Sequence, residues 1–221
     1  MLTDVFPVYG LVLRTPRLEL RLPSPEQLAA LGELAGSGVH DPARMPFTVA
    51  WTDRPPVERA RSVLQHHWEV LSRLAPQHWT LAFAVLAGGE AVGFQDVGAT
   101  DFAVLREVST GSWLGLRHQG RGIGTEMRAA VLELAFAGLG AELAMSAAAT
   151  DNPASLAVSR KLGYVPDGTE RIAVRGAASE HVRLRLDRAA WEAHRTVPVE
   201  IEGLEPCREL LDAPVTASHG S

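Results

Sequence analysis

The chain has 221 residues, 46% hydrophobic and 21% charged, with a formal net charge of -5. That profile describes one generous globular domain, and the acidic balance, without a Lys/Arg run or a basic–aromatic stripe, argues against nucleic acid as a partner. The single cysteine, Cys207, excludes an intrachain disulfide and fits a reducing, cytoplasmic compartment; Asp4 and Pro7 stand where a secretory leader would be apolar, and no apolar run is long enough to suggest a membrane partner.

Taken from the N terminus, residues 12–22 alternate Leu18, Leu20 and Leu22 against Arg17, Glu19 and Arg21, which predicts one strand. Pro23-Ser24-Pro25 opens a helix to about Leu34, and residues 36–54, with His40, Pro42, Pro46, Phe47 and Trp51, read as loop. A second helix starts near Pro55-Pro56 and carries Ala60, Leu64, Trp68 and Leu71 on one face; of the adjacent His66 and His67, one is expected at the surface and one packed. Residues 79–86 and 91–97 are strands around Gly88-Gly89, a hairpin signal. A strand over 109–116, a helix over 123–138, a strand over 142–148 and a helix after Asn152 follow. Two last strands, 170–174 and 181–186, flank Arg175-Gly-Ala-Ala. The folded domain is expected over residues 11–195, and residues 196–221 as a loosely ordered extension in which Cys207 is a structural or incidental thiol. The histidines show neither His-x3-His nor His-Glu-x2-His spacing, so no metal site is expected.

The most informative stretch is Trp113-Leu-Gly-Leu-Arg-His-Gln-Gly-Arg-Gly-Ile-Gly-Thr-Glu-Met127. An apolar strand runs into Gly120, Gly122 and Gly124, which open a helix whose Ile123, Met127, Ala130, Val131 and Leu134 recur at helical spacing. Amide N–H groups of a first helical turn have no partner inside the helix, and with the helix dipole they attract anions, phosphates above all. A P-loop is ruled out, because Arg121 stands where its lysine is required and Gly122 replaces the magnesium-binding hydroxyl. The dinucleotide fingerprint fails as well, since Met127 follows Gly122 and Gly124 where a third glycine is needed. The pattern Gln/Arg-x-x-Gly-x-Gly/Ala fits as Gln119, Gly122 and Gly124.

Downstream, Asp151-Asn-Pro-Ala-Ser-Leu-Ala-Val-Ser-Arg-Lys-Leu-Gly-Tyr164 predicts a capped helix, with Asp151 or Asn152 as N-cap, Pro153 in the first position and Gly163 as the stop. These two segments resemble the pyrophosphate loop and the later Asn-x-x-Ala/Ser helix of the GCN5-related N-acetyltransferase family, in the family's order. The matching positions of the second are Asn152, Ser155, Lys161, Gly163 and Tyr164; Ser159 stands where many members have the tyrosine that protonates the departing thiolate. Thr15-Pro-Arg-Leu-Glu-Leu-Arg21 and the Ser159-Arg-Lys-Leu-Gly-Tyr164 ending resemble the ribosomal-protein alanine N-acetyltransferase branch. Val39-His-Asp-Pro42, Pro46-Phe-Thr-Val-Ala-Trp51 and Ser109-Thr-Gly-Ser-Trp-Leu-Gly115 are similar to an actinobacterial subgroup linked to succinyl transfer.

The resemblance implies a mixed α+β fold, a central mostly antiparallel sheet flanked by helices. It implies an N-acyltransferase moving an acetyl or succinyl group from acetyl-CoA or succinyl-CoA to an amine, be it a protein N-terminus, a lysine or a small amine, by direct transfer in a ternary complex. Trp113, Leu114, Gly115 and Leu116 would pair with the pantetheine arm. Gln119, Gly120, Arg121, Gly122, Ile123, Gly124 and Thr125 would wrap the pyrophosphate, and Asn152, Ser155 and Lys161 complete the expected CoA contacts. Ser155 and Ser159 are candidates to steer or protonate the thiolate; among Asp96, Asp101 and Glu107, Glu107 is carried as the catalytic carboxylate. A succinyl carboxylate needs a cation or hydroxyl, and Arg44, His40, Thr48 and Arg106 are the candidates. The family commonly pairs, so a homo-oligomer, dimer or larger, is expected. A non-catalytic acyl-CoA-binding module of the same fold is the alternative function; a nucleotide enzyme ranks behind both.

Overall fold

A computed structural model of the protein describes residues 1–213. A short helix α1 (Leu2–Val5) leads into β1 (Val12–Arg14) and β2 (Glu19–Arg21). Residues 12–22 are therefore two strands of a tight hairpin, where a single strand was expected. Pro16 has no N–H to donate, and Thr15 closes the turn instead, its N–H donating to the Leu18 carbonyl at 2.9 Å and its Oγ1 accepting from the Leu18 N–H at 3.0 Å. Helix α2 (Pro25–Ser37) starts in a capping box: the Gln27 N–H donates to Ser24 Oγ at 3.2 Å and the Ser24 N–H to Gln27 Oε1 at 2.9 Å. Helix α3 (Pro56–Ser72) packs beside it, but Val63 and His67 form its buried stripe while Trp68 is 57% exposed and His66 lies at the surface. The apolar face of α3 is thus rotated from the one its large residues suggest.

The sheet continues with β3 (His78–Ala87) and β4 (Glu90–Thr100), then the one-turn helix α4 (Phe102–Leu105) and β5 (Glu107–Leu114). Helix α5 (Ile123–Glu133) passes into a wider π-wound segment, Leu134–Leu139, that ends at Gly140. Strand β6 (Leu143–Ala149), helix α6 (Pro153–Lys161), the β7–β8 hairpin (Val165–Val174, Ala177–Asp187), helix α7 (Arg188–His194) and β9 (Glu200–Glu202) complete the described chain. The strands form one sheet in the order β7-β8-β6-β5-β4-β3-β2-β1-β9. Every neighbouring pair is antiparallel except β5–β6, so the mostly antiparallel α+β architecture holds. One face packs α5 over Leu81, Phe83, Val97 and Val108; the other packs α2 and α3 over Ala84, Leu86 and Ala91.

The segment after Arg195 departs from the loose extension expected of it. β9 pairs with β1 through Leu13↔Ile201, and the buried Trp79 Nε1–H donates to the Leu211 carbonyl at 2.9 Å. Cys207 is fully buried in the main core, and that burial pushes its thiol up to about 11, leaving it an inert packing group. The physical reason is that β1 would otherwise present an open edge, and Ile201, Leu204 and Leu211 cover it. Residues 214–221 of the expected extension lie outside the described residues.

Candidate functional site

The parallel pair β5–β6 is joined only at Glu107↔Leu143, Val108↔Ala144 and Ser109↔Met145. Beyond Ser109 the two strands part: β5 stays paired with β4 up to Leu114, and β6 with β8 up to Ala149. Thr110 to Leu114 therefore present an edge without a partner strand to a wedge, and backbone groups that are not exposed call for partners. The wedge opens toward the glycine loop at the end of β5.

That loop is held from several directions. Gln119 donates its Nε2 to the Val39 carbonyl at 2.7 Å and to the Leu114 carbonyl at 3.0 Å. Gly122, the N-cap of α5, has φ +79°, a left-handed conformation that strains any residue with a Cβ. Gly115 is required by packing instead, since an added Cβ would lie 2.4 Å from Leu34 Cδ1. Below the loop, Glu126 in the first turn of α5 is 6% exposed and clamped by the β1–β2 turn. Thr15 Oγ1 donates to its Oε1 at 2.6 Å and Arg17 Nε to its Oε2 at 2.6 Å, while Arg17 Nη1 donates to the Arg121 carbonyl at 3.0 Å. Arg17 thus ties the loop to the β1–β2 turn with its charge offset by Glu126, while Arg121 lies at a helix N-terminus whose N–H groups favour anions. The sequence reading missed Arg17 and Glu126, although an Arg next to a Thr-Pro turn and an acid in the first turn of an apolar helix were visible.

On the other wall of the wedge, Asn152 is the N-cap of α6, its Oδ1 accepting from the Ser155 N–H at 3.1 Å and its side-chain NH2 uncommitted among the described residues. Asn152, Ser155 and Ser159 recur at helical spacing on one face. Ser155 is half-buried, and its hydroxyl makes no hydrogen bond among the described residues; Ser159 is fully buried and donates to the Ser155 carbonyl at 3.1 Å. Between α6 and β5 lies a group the sequence reading did not single out. Arg128, 5% exposed, donates from Nη1 to Ser159 Oγ at 2.8 Å and from Nη2 to Ser112 Oγ at 3.5 Å. No carboxylate pairs with it among the described residues, and its Nε is buried without a partner. The Thr110 and Tyr164 hydroxyls are buried beside each other, and Gln95 Oε1 is buried without a partner; cross-strand pairing puts Gln95 opposite Ser112, with Thr110 two residues back on the same face.

The opposite face of β4 and β5 is aromatic. Phe94 stacks on Trp113 at 6.3 Å between ring centroids, Trp51 tilts against Trp113 at 5.9 Å and Phe47 against Trp51 at 5.3 Å. His66 meets Phe94 edge-on at 6.0 Å. Asp96 lies in this row, accepting the Gly111 N–H, while Gln95 Nε2 donates to the Gly111 carbonyl at 2.9 Å. Burial raises the Asp96 carboxyl above its ordinary value, against the Gly111 N–H, His66 and Arg128, which pull it down. The tip of the β7–β8 hairpin closes the far side, Arg175 Nε donating to Asp53 Oδ2 at 2.8 Å.

The arrangement gathers Trp113, Leu114, Gly115, Gln119, Gly120, Arg121, Gly122, Ile123, Gly124 and Thr125 at the mouth of the wedge, with Asn152, Ser155 and Ser159 along its wall. It does not gather three others. Leu116 begins a short 3-10 turn and its side chain is 48% exposed outside the wedge. Lys161 is exposed at the far end of α6, roughly 9 Å of helix beyond Ser155. Glu107 begins β5, seven residues before Leu114 and so about 23 Å from the loop end, on the side where β5 and β6 are still joined. A β-strand carries its two ends far apart, so sequence proximity to the motif misjudged Glu107. Asp101 sits at the distal end of the sheet too, which leaves Asp96 as the carboxylate beside the parted strands. Of the candidate carboxylate binders, Arg106 lies at that distal end over the Phe102 ring, 5.5 Å from its centroid. His40 is engaged with Thr52 Oγ1 at 2.7 Å, while Arg44 and Thr48 are exposed on the loop before Trp51.

Comparison with known proteins agrees with this architecture. Residues 17–165, more than half of the chain, match the model of the acetyltransferase (GNAT) domain. Among solved structures, Mycobacterium smegmatis RimJ in complex with CoA-disulfide shares 20% identity at a TM-score of 0.66, over 90% of this chain and 93% of that one. RimL, a ribosomal L7/L12 alpha-N-protein acetyltransferase in complex with coenzyme A, shares 19% identity at 0.63, over 81% and 99%. A GCN5-related N-acetyltransferase from Brucella melitensis shares 18% at 0.66, over 83% and 81%. At such identities the structural likeness speaks for the fold; the family match speaks for membership. The chain belongs to the GNAT acetyltransferase domain family. Among the described residues no group of three or more His, Cys, Asp or Glu is arranged to hold a metal, and no helix is long and apolar enough to cross a membrane.

Proposed function

We propose that this protein transfers an acyl group, acetyl or succinyl, from acyl-CoA directly to an amine. The observation that carries the reading is the free edge of β5 from Thr110 to Leu114 running into a glycine loop at the N-terminus of α5. A pantetheine arm is an amide chain and fits an unpartnered strand edge, and a pyrophosphate fits free helix N–H groups flanked by Arg17 and Arg121. Asn152 would donate its side-chain amide to the arm, and Ser155 would orient the sulfur with its uncommitted hydroxyl.

The acceptor amine would enter over the row of Phe94, Trp113 and Trp51 on the opposite face. Asp96 would take its proton, since a carboxyl raised by burial is better matched to that task than an ordinary one. RimL is described as acting on a ribosomal protein, which favours a protein N-terminus among the acceptors. A homo-oligomer in a cytoplasmic setting belongs to the same proposal.

A thermal-shift series tests the reading. Acetyl-CoA, succinyl-CoA or free CoA at about 100 times its Kd should add ~2.7 kcal/mol of stability, while ATP adds none. The best acyl form names the donor. Amine-dependent release of free CoA then separates an enzyme from a silent CoA-binding module, and absence of any CoA response would overturn both.

A further inference from the structure

We propose that Arg128 holds the negative charge of the departing CoA sulfur, taking the place of the tyrosine that Ser159 replaces. The inference rests on the acyl-CoA reading above and goes beyond it by assigning a residue no motif contains. Its basis is a buried cation with no ion-paired carboxylate, on which Asp96 acts only from across the sheet. A guanidinium stays protonated in proteins, and leaving one buried without an anion is costly. Here it has two serine hydroxyls as partners and an open Nε, in the same enclosed patch as the Tyr164 and Thr110 hydroxyls, which lie beside each other. A buried guanidinium N–H left open calls for an anion or another acceptor.

Its place decides which anion. Arg128 bridges Ser112 on the free edge of β5 and Ser159 on the Asn152–Ser155 face of α6, so it spans the wedge at the depth an arm laid along β5 from the loop would reach. In the transfer, the amine nitrogen bonds to the thioester carbon and the carbon–sulfur bond breaks, its electron pair going to sulfur. The proton lost by nitrogen passes to Asp96 and on to solvent, and the sulfur leaves as an anion beside Arg128. A neighbouring arginine is among the features that lower a thiol's pKa, and it acts here on the ligand's thiol as it would on a cysteine. Ser159, whose hydroxyl accepts from Arg128, becomes a positioning residue for the guanidinium.

The test compares binding of free CoA and desulfo-CoA to the whole protein by calorimetry from about pH 6 to about pH 9.5, a window that brackets a free thiol's titration. The charged and titratable groups facing this patch are Arg128, Tyr164 and, across the sheet, Asp96; their own titration affects both ligands alike and cancels in the comparison. For the wild type, CoA should gain on desulfo-CoA by at least about tenfold as pH rises, which is the affinity equivalent of a one-unit fall in the bound thiol's pKa. R128Q should lose that gain while still binding desulfo-CoA, and R128K should keep part of it. A wild type that binds both ligands with no pH-dependent gap overturns the role of Arg128, even if the variants fail to fold, and so does an R128Q that retains the gap. A wild type that binds neither ligand overturns the acyl-CoA reading instead.

Discussion

Helix α5 buries three ionisable side chains within about two turns and treats them in two ways. At its ends, Glu126 is closed by Thr15 and Arg17, and Glu133, 4% exposed, is closed by Arg195, whose Nε donates to Oε2 at 2.8 Å. In the middle, facing the parted strands, Arg128 is equally buried and has only two hydroxyls. Removing one partner of a buried pair is costly because it strands the other, whereas replacing a buried charge that never had a counter-charge can be neutral or stabilising. The two ends of α5 therefore fasten the helix to the hairpin and the C-terminal segment. The middle carries a buried charge with only hydroxyl partners, an electrostatic cost that the proposed thiolate would offset.

The sharpest challenge to this division comes at the loop that the paired end supports. Gly122→Glu should weaken CoA binding by more than ~100-fold through bulk and repulsion at the pyrophosphate, with a folded circular-dichroism spectrum. Wild-type CoA affinity in that variant would sink the loop assignment. A buried group that can shed its charge offers the next comparison. His67 on α3 is held neutral by burial, with His66 adding repulsion, and titrates near 4 rather than 6.5. The unfolded chain then binds the extra proton first, so stability present above about pH 6.5 is lost as pH falls toward about 4, a change of ~3 kcal/mol. Denaturant unfolding across that window should show a markedly flatter decline for His67→Phe; an equal decline would mean His67 is not the group responsible. Arg128 has no such escape, because guanidinium does not deprotonate.

Arg17→Met should cost about 2 kcal/mol, the usual loss on stranding a buried carboxylate reduced for the half-exposed arginine. The smallest effect is expected where a buried charge would ordinarily suggest a large one: Arg128→Met should leave stability within about 1 kcal/mol of wild type, or raise it. If Arg17→Met proves harmless and Arg128→Met unfolds the protein, the division drawn along α5 is wrong.

Much of the ligand end was legible because its signals are local. Three glycines at alternate positions before an apolar helix, or Asn-Pro before another, constrain the backbone within a few residues, and Gly122 and Asn152 occupy the left-handed and N-cap positions such patterns call for. Glu107 and Lys161 were misjudged because both lie near motifs in sequence, and a strand or helix carries such neighbours out of reach. Arg17, Glu126 and Arg128 were missed because their meaning depends on partners on other elements, 16 to 109 residues away.

By itself, the amino-acid sequence determined the order of the main helices and strands between residues 25 and 186, the glycine turn and the family resemblance, since periodicity, glycine and capping act over one or two turns of chain. Only the tertiary structure decided that β5 and β6 part after Ser109, that the segment around Ile201 and Cys207 seals the sheet's edge, and that Arg128 is enclosed without an ion-paired carboxylate. Those facts depend on which distant groups share a space, and burial turns an ordinary arginine into an electrostatic demand that the linear sequence does not show.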